Sequence, residues 1–265
     1  MDGHRNTFIQ RTMAAFLVTL IGLAQATHVD AADGGTRERA FVRALEQFDA
    51  AKSPGEYLES ARTLESILAD GFRNGAVYYN LGNAYYRAGE YGRAILSYRK
   101  AKPYRPRDPY LAANLQQALA AAPGRLTESP RPWWTHVLFW TDWLSFPAKV
   151  RVSVAGFTLA AVVATVACWF RLSRLQWLTT VLLLSATATS IDMVLCQADV
   201  TDSRRAVITG ETIARKGIGN SYEPAFDQPL RDGAEFTVLS ETADWTFGHF
   251  ESVGDGWVRN EFVAR

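Results

Sequence analysis

The chain has 265 residues, with 28 basic and 27 acidic side chains and a net charge of +1 at pH 7. We predict no nucleic-acid partner. The two cysteines and four scattered histidines show no metal-ligand spacing, and no nucleophile–base motif or phosphate loop is present. The sequence therefore predicts no catalytic residues, no cofactor and no metal.

The N-terminus has the pattern of a secretory signal peptide, which we predict at residues 1–26. A basic start precedes an apolar run over residues 13–23, and Ala24-Gln25-Ala26 resembles a signal-peptidase site. The run is short for a membrane span. An uncleaved signal anchor is the alternative, and either reading exports the region that follows.

Residues 75–108 match one complete tetratricopeptide (TPR) repeat. The matching positions are Tyr78, Leu81, Gly82, Tyr85, Ala94, Tyr98, Ala101 and Pro106. The small residues Gly82 and Ala94 are expected to let two helices approach, and Pro106 is expected to stop the second helix. The alternative is a generic amphipathic helix pair with chance matches.

A single repeat cannot bury its apolar face, so neighbouring helices are expected. Gly55-Glu56-Tyr57 matches Gly89-Glu90-Tyr91 at a shift of one full repeat length, which indicates a degenerate preceding repeat. The stretch after Pro109 predicts a terminal capping helix. We assign residues 36–122 to this α-solenoid array.

Residues 123–149 form an aromatic linker. Between Pro132 and Pro147 the tryptophans and large apolar residues recur at helical spacing. Because tryptophan favours the membrane–water interface, this spacing predicts an interfacial helix. The alternative is a helix that caps the array and buries its tryptophans.

Residues 150–171 and 175–196 are predicted to form two transmembrane helices joined by a tight turn, since each contains an uncharged run near the length needed to cross a bilayer. The alternative is a buried helix pair in a soluble domain. With an exported N-terminal region, two crossings would return the chain to the outer side. Asp192 is expected at the interface in contact with solvent, with a functional intramembrane acid as the alternative.

Residues 203–265 change to short β-branched and aromatic runs separated by turn signals such as Asp232-Gly233 and Asp255-Gly256. The order of these runs resembles bacterial SH3-like domains and predicts a small β-barrel. Tyr222, Phe226 and Trp245 are predicted to line a groove for peptide or cell wall, whereas Trp257 is expected in the core. The excess of acidic residues in this segment argues against an anionic polymer as its ligand.

The sequence thus predicts a multidomain α + β membrane protein with an α-solenoid TPR array, a transmembrane helical hairpin and a small SH3-like β-barrel. With its Tyr-Asn-Leu-Gly-Asn run at residues 79–83, this layout resembles the BatE-type proteins of the Bacteroides aerotolerance operons. That resemblance implies a stress-related envelope complex with MoxR-type ATPases and membrane proteins that carry von Willebrand factor A (VWA) domains. From the predicted signal peptide and the two predicted crossings, we expect a location in a bacterial inner membrane with both predicted domains on the periplasmic side.

A peptide-binding surface is predicted on the first helix of the repeat. Asn80, Asn83 and Arg87 are three and four residues apart and share one helical face, and Tyr79 and Tyr86 flank them. Amides and a guanidinium suit an extended acidic segment or a peptide carboxylate. Alternatively, the two asparagines bond to backbone and Arg87 is solvated.

Three function classes remain. The first is an envelope scaffold that binds proteins through both domains. The second is an adaptor whose barrel binds peptidoglycan while the array recruits an enzyme. The third is an enzyme, which the missing catalytic motifs disfavour.

Overall fold

A computed structural model describes residues 31–69, 71–124, 143–201, 205–251 and 253–265. The predicted signal peptide and most of the aromatic linker lie outside these residues. The described chain is a mixed α + β structure. Its helices are α1 (Ala31–Ala50), α2 (Pro54–Leu68), α3 (Gly75–Ala88), α4 (Tyr91–Ala101), α5 (Pro109–Ala121), α6 (Phe146–Trp169) and α7 (Gln176–Thr201). Its strands are β1 (Arg205–Ile208), β2 (Glu235–Glu241), β3 (Trp245–Phe250), β4 (Gly254–Arg259) and β5 (Val263–Ala264).

Two helix starts, separated by one repeat length, show the same local design. The side chain of Asn74 accepts hydrogen bonds from the first-turn N–H groups of α3, and the side chain of Asp108 does the same for α5. Both residues satisfy donors that a helix leaves without an intrahelical partner. The spacing of the caps gives α3 and α5 equivalent starting points.

Helices α1 to α5 share one apolar core. Gly82 lies against the ring of Tyr98, where a Cβ atom would come within 2.5 Å of the ring. Ala94 and Tyr98 are fully buried, which confirms the predicted close approach of α3 and α4. Helix α4 ends at Ala101, five residues before the predicted stop at Pro106, and hydrogen-bonded turns fill the interval.

Helices α6 and α7 pack antiparallel through small side chains, connected by a short 3-10 helix at Ser173–Leu175. The hydroxyls of Ser153 and Thr189 lie 2.9 Å apart, and Gly156 faces Ala186. Near the open end of the pair, the Nζ of Lys149 lies 2.8 Å from a carboxylate oxygen of Asp192. Asp192 is therefore paired with Lys149 and largely buried, and the expectation of a solvated acid was wrong.

The five strands form one antiparallel sheet in the order β4-β3-β2-β1-β5. Gly233 has φ +90°, which fits the tight turn predicted before β2. The turn predicted at Asp255-Gly256 was wrong, because both residues lie inside β4 and the positive φ belongs to Gly254. Gly256 packs against Ala214 and Ala225, so its missing side chain permits close packing.

The sheet rests on α4. Gly92 meets the backbone of β1, where a Cβ atom would lie 2.6 Å from the carbonyl oxygen of Ile208. Beyond the end of α5, the N–H of Gly124 donates to the carbonyl oxygen of Asp232 at 2.9 Å. Helix α4 thus contacts the helices of its own bundle on one side and the sheet on the other.

Candidate functional site

A polar network on the α3–α5 side involves two of the five residues predicted to bind peptide. The Oδ1 atom of Asn83 accepts hydrogen bonds from the hydroxyl of Tyr98 at 2.8 Å and from the Nδ2 of Asn114 at 2.9 Å. The same Nδ2 donates to the hydroxyl of Tyr79 at 3.0 Å. These four residues, which we call the polar network, tie α3 to both α4 and α5. Burial raises the pKa of Tyr98 above the ordinary range, so its phenol stays a neutral donor.

The other three predicted residues surround this network on α3. Asn80 donates from its Nδ2 to the carbonyl oxygen of Ala76 at 2.9 Å, so its amide bonds within its own helix. The rings of Tyr86 and Tyr91 meet edge to face at 5.7 Å. Arg87 is exposed, and its guanidinium lies 5.5 Å from the ring centre of Tyr57 on α2.

The five side chains therefore differ in how readily they can bind a ligand. Tyr79 and Asn83 are already hydrogen-bonded inside the bundle, so a ligand would have to share or replace those bonds. Arg87 is the exposed cation of the set; its guanidinium donates to the hydroxyl of Tyr57 on α2 at 3.4 Å, and Tyr86 precedes it on α3. A cation beside aromatic rings can bind a carboxylate at the end of an apolar segment.

The sheet carries a cavity of about 490 Å³ between the segment after β1 and the start of β3. Its lining contains Phe226 and Trp245, two of the three residues predicted for the groove, together with Arg215 and Arg259. Tyr222 is not part of this lining; it is 52% exposed and packs over Gly217. Trp245 is only 8% exposed, so little of its ring is open to the cavity.

Several residues without a predicted role join the helices to the sheet. Arg99 on α4 makes a bidentate ion pair with Glu235 on β2, with N–O distances of 2.9 and 2.8 Å. Asp232 accepts from the N–H of Gly92 at 3.1 Å and thereby caps α4, because the N-cap residue Glu90 makes no side-chain cap bond. We call Gly92, Arg99, Asp232 and Glu235 the docking contact.

The electrostatics of Asp232 reflect its position in this contact. Burial raises the pKa of the carboxyl above the ordinary aspartate value, and the nearby Glu90 acts in the same direction. The N–H groups of Gly92 and Gly210 oppose this shift because they stabilise the ionised form. The Asp232-Gly233 turn signal marked this place as a turn, but no sequence pattern connects it with α4.

Among the described residues, no group of three or more His, Cys, Asp or Glu side chains is arranged to hold a metal ion. The arrangement offers surfaces for binding: polar and aromatic groups on α3, a shallow cavity in the sheet, and two long apolar helices. In a comparison with protein-family models no model matches the chain, and a comparison with curated proteins gives no match.

Proposed function

We propose that this protein is a membrane-anchored scaffold of the bacterial cell envelope. Helices α1 to α5 act as a short TPR array that binds a partner protein, α6 and α7 cross the membrane as a hairpin, and the sheet acts as an SH3-like domain. The proposed location is the inner membrane, with the array and the sheet on the periplasmic side. The exposed apolar surface of α6 and α7 is the observation that carries this proposal.

Both helices are long and apolar enough to cross a membrane, yet few of these residues are buried in the protein. Within the most apolar 18-residue windows, 17% of the α6 residues and 6% of the residues in the α7 segment are buried. Phe157, Leu159 and Leu184 are 42%, 51% and 66% exposed. A buried helix pair in a soluble domain would hide these side chains, whereas lipid would cover them.

The charged residues fit the thickness of a bilayer. Arg151 near the start of α6 and Arg171 just after its end are twenty residues apart. At the rise of a helix this is about 30 Å, which is the thickness of the hydrocarbon core. The small residues between the two helices permit the close approach common in membrane helix pairs. The sheet follows the hairpin in the chain and contacts α4, which precedes it. Both must therefore lie on the same side of the membrane, which agrees with two crossings.

Repeat geometry supports the array. The caps of α3 and α5 recur at the period of a TPR repeat, and Gly82 permits the close helix packing that the repeat requires. TPR arrays bind extended segments along the first helices of their repeats. On α3 this surface carries Arg87 and Tyr86, and we propose an acidic segment or a C-terminal carboxylate as the ligand.

The resemblance to BatE-type proteins suggests the setting. We propose that the partner belongs to an aerotolerance-related envelope complex with MoxR-type ATPases and VWA-domain membrane proteins. A scaffold of this kind would hold a partner near the membrane without chemistry of its own.

Reporter fusions test the anchoring and the orientation. Alkaline phosphatase would be fused after Glu128, within residues 171–174 and after Arg265. We expect activity from the first and third fusions and none from the second. Activity at the second fusion alone, or extraction of the full-length protein from membranes by alkaline carbonate, would contradict the proposed topology.

Partner capture tests the array. Full-length protein solubilised in mild detergent would be purified from its native membranes, and the bound proteins would be identified by mass spectrometry. We expect Arg87→Glu to lose the partner, because the change reverses the charge offered to a carboxylate. The matched control is Arg62→Glu on the exposed side of α2, which should retain it. Equal retention by both variants would rule out the α3 surface.

The cavity in the sheet favours a second candidate function, a peptidoglycan-binding adaptor. Aromatic residues at a shallow cavity suit stacking on extended ligands, and Tyr222 lies exposed in the same region of the sheet domain. Sedimentation of full-length protein with purified peptidoglycan tests this function. Binding that Tyr222→Ala abolishes would support the adaptor, and a supernatant that retains all of the protein would exclude it.

A further inference from the structure

The turn between α4 and α5 lies against the beginning of α6. The N–H of Phe146 donates to the carbonyl oxygen of Pro103 at 2.8 Å, and the rings of Phe146 and Tyr104 lie 5.8 Å apart. The guanidinium of Arg107 lies 5.3 Å from the ring centre of Trp143. We call residues 102–108 the basic loop. Its contacts fix the distance between the helical array and the first turn of α6.

This distance sets the depth of the basic loop in a membrane that α6 crosses. If the hydrocarbon core begins near Arg151, then Phe146 lies five residues, or about 7.5 Å, outside it. The polar layer on each face of a bilayer is about 5 to 7.5 Å deep, so Phe146 lies in its outer part. Phe146 and the carbonyl group of Pro103 that it contacts are therefore at headgroup depth. This step depends on the membrane insertion proposed above.

The chemistry of the basic loop suits that depth. It contains three basic residues, Lys102, Arg105 and Arg107, and one acidic residue, Asp108, which pairs with Arg105. Arg107 is exposed and lies over Trp143, which is itself 58% exposed. A tryptophan ring with a cation above it is suited to the membrane interface, where one part contacts acyl chains and the other contacts polar groups.

Among the described residues, the nearest charges on α6 and α7 are those of Lys149, Asp192 and Arg151. Lys149 is 3% exposed and is neutralised by Asp192, so it does not attract external anions. Arg151 is exposed two residues further along α6, or about 3 Å deeper, and its Nε donates to the carbonyl oxygen of Pro147. Charge complementarity therefore favours an anionic partner spread over the membrane surface.

We propose that the basic loop and Trp143 bind the headgroups of anionic phospholipids in the membrane that holds α6 and α7. The array is then fixed to the membrane surface by charge as well as by the chain connection. The surface of α3 that carries Arg87 and Tyr86 is then held at a defined orientation to the bilayer. This orientation determines the direction from which a partner segment approaches.

A lipid titration tests the proposal. Full-length protein in detergent micelles would be titrated with phosphatidylglycerol or with phosphatidylcholine, and bound lipid would be counted by native mass spectrometry. We expect the wild-type protein to prefer phosphatidylglycerol. Arg107→Gln should weaken that binding about fivefold, the effect of one basic residue at an anionic surface. Arg107→Lys retains the charge and should retain most of the affinity.

Two controls assign the effect to the loop. Arg62→Gln removes an exposed arginine from α2 and should bind phosphatidylglycerol as the wild type does. Inorganic phosphate at the concentration of the lipid should not displace phosphatidylglycerol from the wild-type protein. Equal binding of both lipids, an unchanged affinity in Arg107→Gln, or displacement by phosphate would each overturn the proposal.

The same samples separate this proposal from the proposed anchoring. Protein that enters lipid nanodiscs but binds both lipids equally would retain the membrane hairpin and lose the headgroup site. Protein that stays outside the nanodiscs would overturn both.

Discussion

The two sides of α3 and α4 use hydrogen bonds for different purposes. On the α3–α5 side, amide and phenol groups of the polar network bond to one another within the helices. On the α4 side, the docking contact joins the helix to the sheet: the carboxylate of Asp232 accepts from the N–H of Gly92, and the guanidinium of Arg99 donates to Glu235. The difference teaches that this helix pair stabilises itself through one side and holds the sheet through the other.

The largest expected effect comes from closing the space at the docking contact. Gly92→Leu places a side chain where a Cβ atom would already lie 2.6 Å from the backbone of Ile208. We expect a loss of about 3 kcal/mol in the free energy of docking, because a backbone atom cannot move aside as a side chain does. Hydrogen exchange of β1 and α4 amides in the detergent-solubilised full-length protein measures this loss.

The control is Gly55→Leu, at a position on α2 with nothing within 4 Å. It should leave exchange unchanged. Equal exchange in both variants would mean that the docking contact does not hold the sheet against α4.

The polar network should give the next largest effect. Asn83→Ala leaves the hydroxyl of Tyr98 without its acceptor and removes one of the two acceptors of the Asn114 amide, which we expect to lower the free energy of unfolding by about 2 kcal/mol. Asn80→Ala is the control, since its amide bonds only within α3. Thermal unfolding followed by circular dichroism at a helical wavelength measures both. A larger loss in the control would show that the network is not what stabilises the array.

The ion pair between Arg99 and Glu235 should contribute less. Both side chains are about one-third exposed, with 28% and 32% accessibility, so solvent screens their attraction. We expect a coupling of about 1 kcal/mol from a double-mutant cycle of Arg99→Gln and Glu235→Gln, since the pair is bidentate. The longer, more exposed pair of Arg93 and Glu90 should show almost none. If both pairs gave the same coupling energy, the bidentate geometry of Arg99 and Glu235 would not explain their contribution.

The smallest effect is a pH dependence at Asp232. Burial raises the pKa of this carboxyl in the folded protein, so the folded state retains a proton that the unfolded chain has already released. Stability from this group is present below the ordinary aspartate pKa and is lost as pH rises through the raised folded pKa. We expect the melting temperature of the wild-type protein to fall as pH rises through this range, and the melting temperature of Asp232→Asn to lack this fall. An identical slope in wild type and variant would assign the dependence to other groups.

Much of the fold follows from local signals. The helices around Gly82 and Tyr98 follow from residue size at fixed spacing, and the strands from β-branched and aromatic runs. The docking contact does not follow, because Gly92 and Asp232 are 140 residues apart and neither has an unusual local sequence. The pairing of Lys149 with Asp192 likewise depends on the register between two helices, which periodicity alone does not determine.

For the predicted binding residues, too, local sequence predicts the helix position, whereas tertiary contacts determine the environment. Helical spacing placed Asn80, Asn83 and Arg87 on α3 as expected, but it could not show that Asn83 is already occupied by Tyr98 and Asn114. Its partners come from two other helices. Exposure of Arg87 and burial of Trp245 also depend on tertiary packing that no single segment encodes.

The cap that Asp232 gives to α4 has a consequence for the order of biosynthesis. At about 5 to 20 residues per second, the ribosome needs on the order of ten seconds to reach Asp232 after Gly92 has been made. During that interval the first turn of α4 lacks this acceptor, and the chain must complete both apolar helices before the acceptor arrives. A nascent chain that ends before the sheet therefore lacks this acceptor for the first turn of α4.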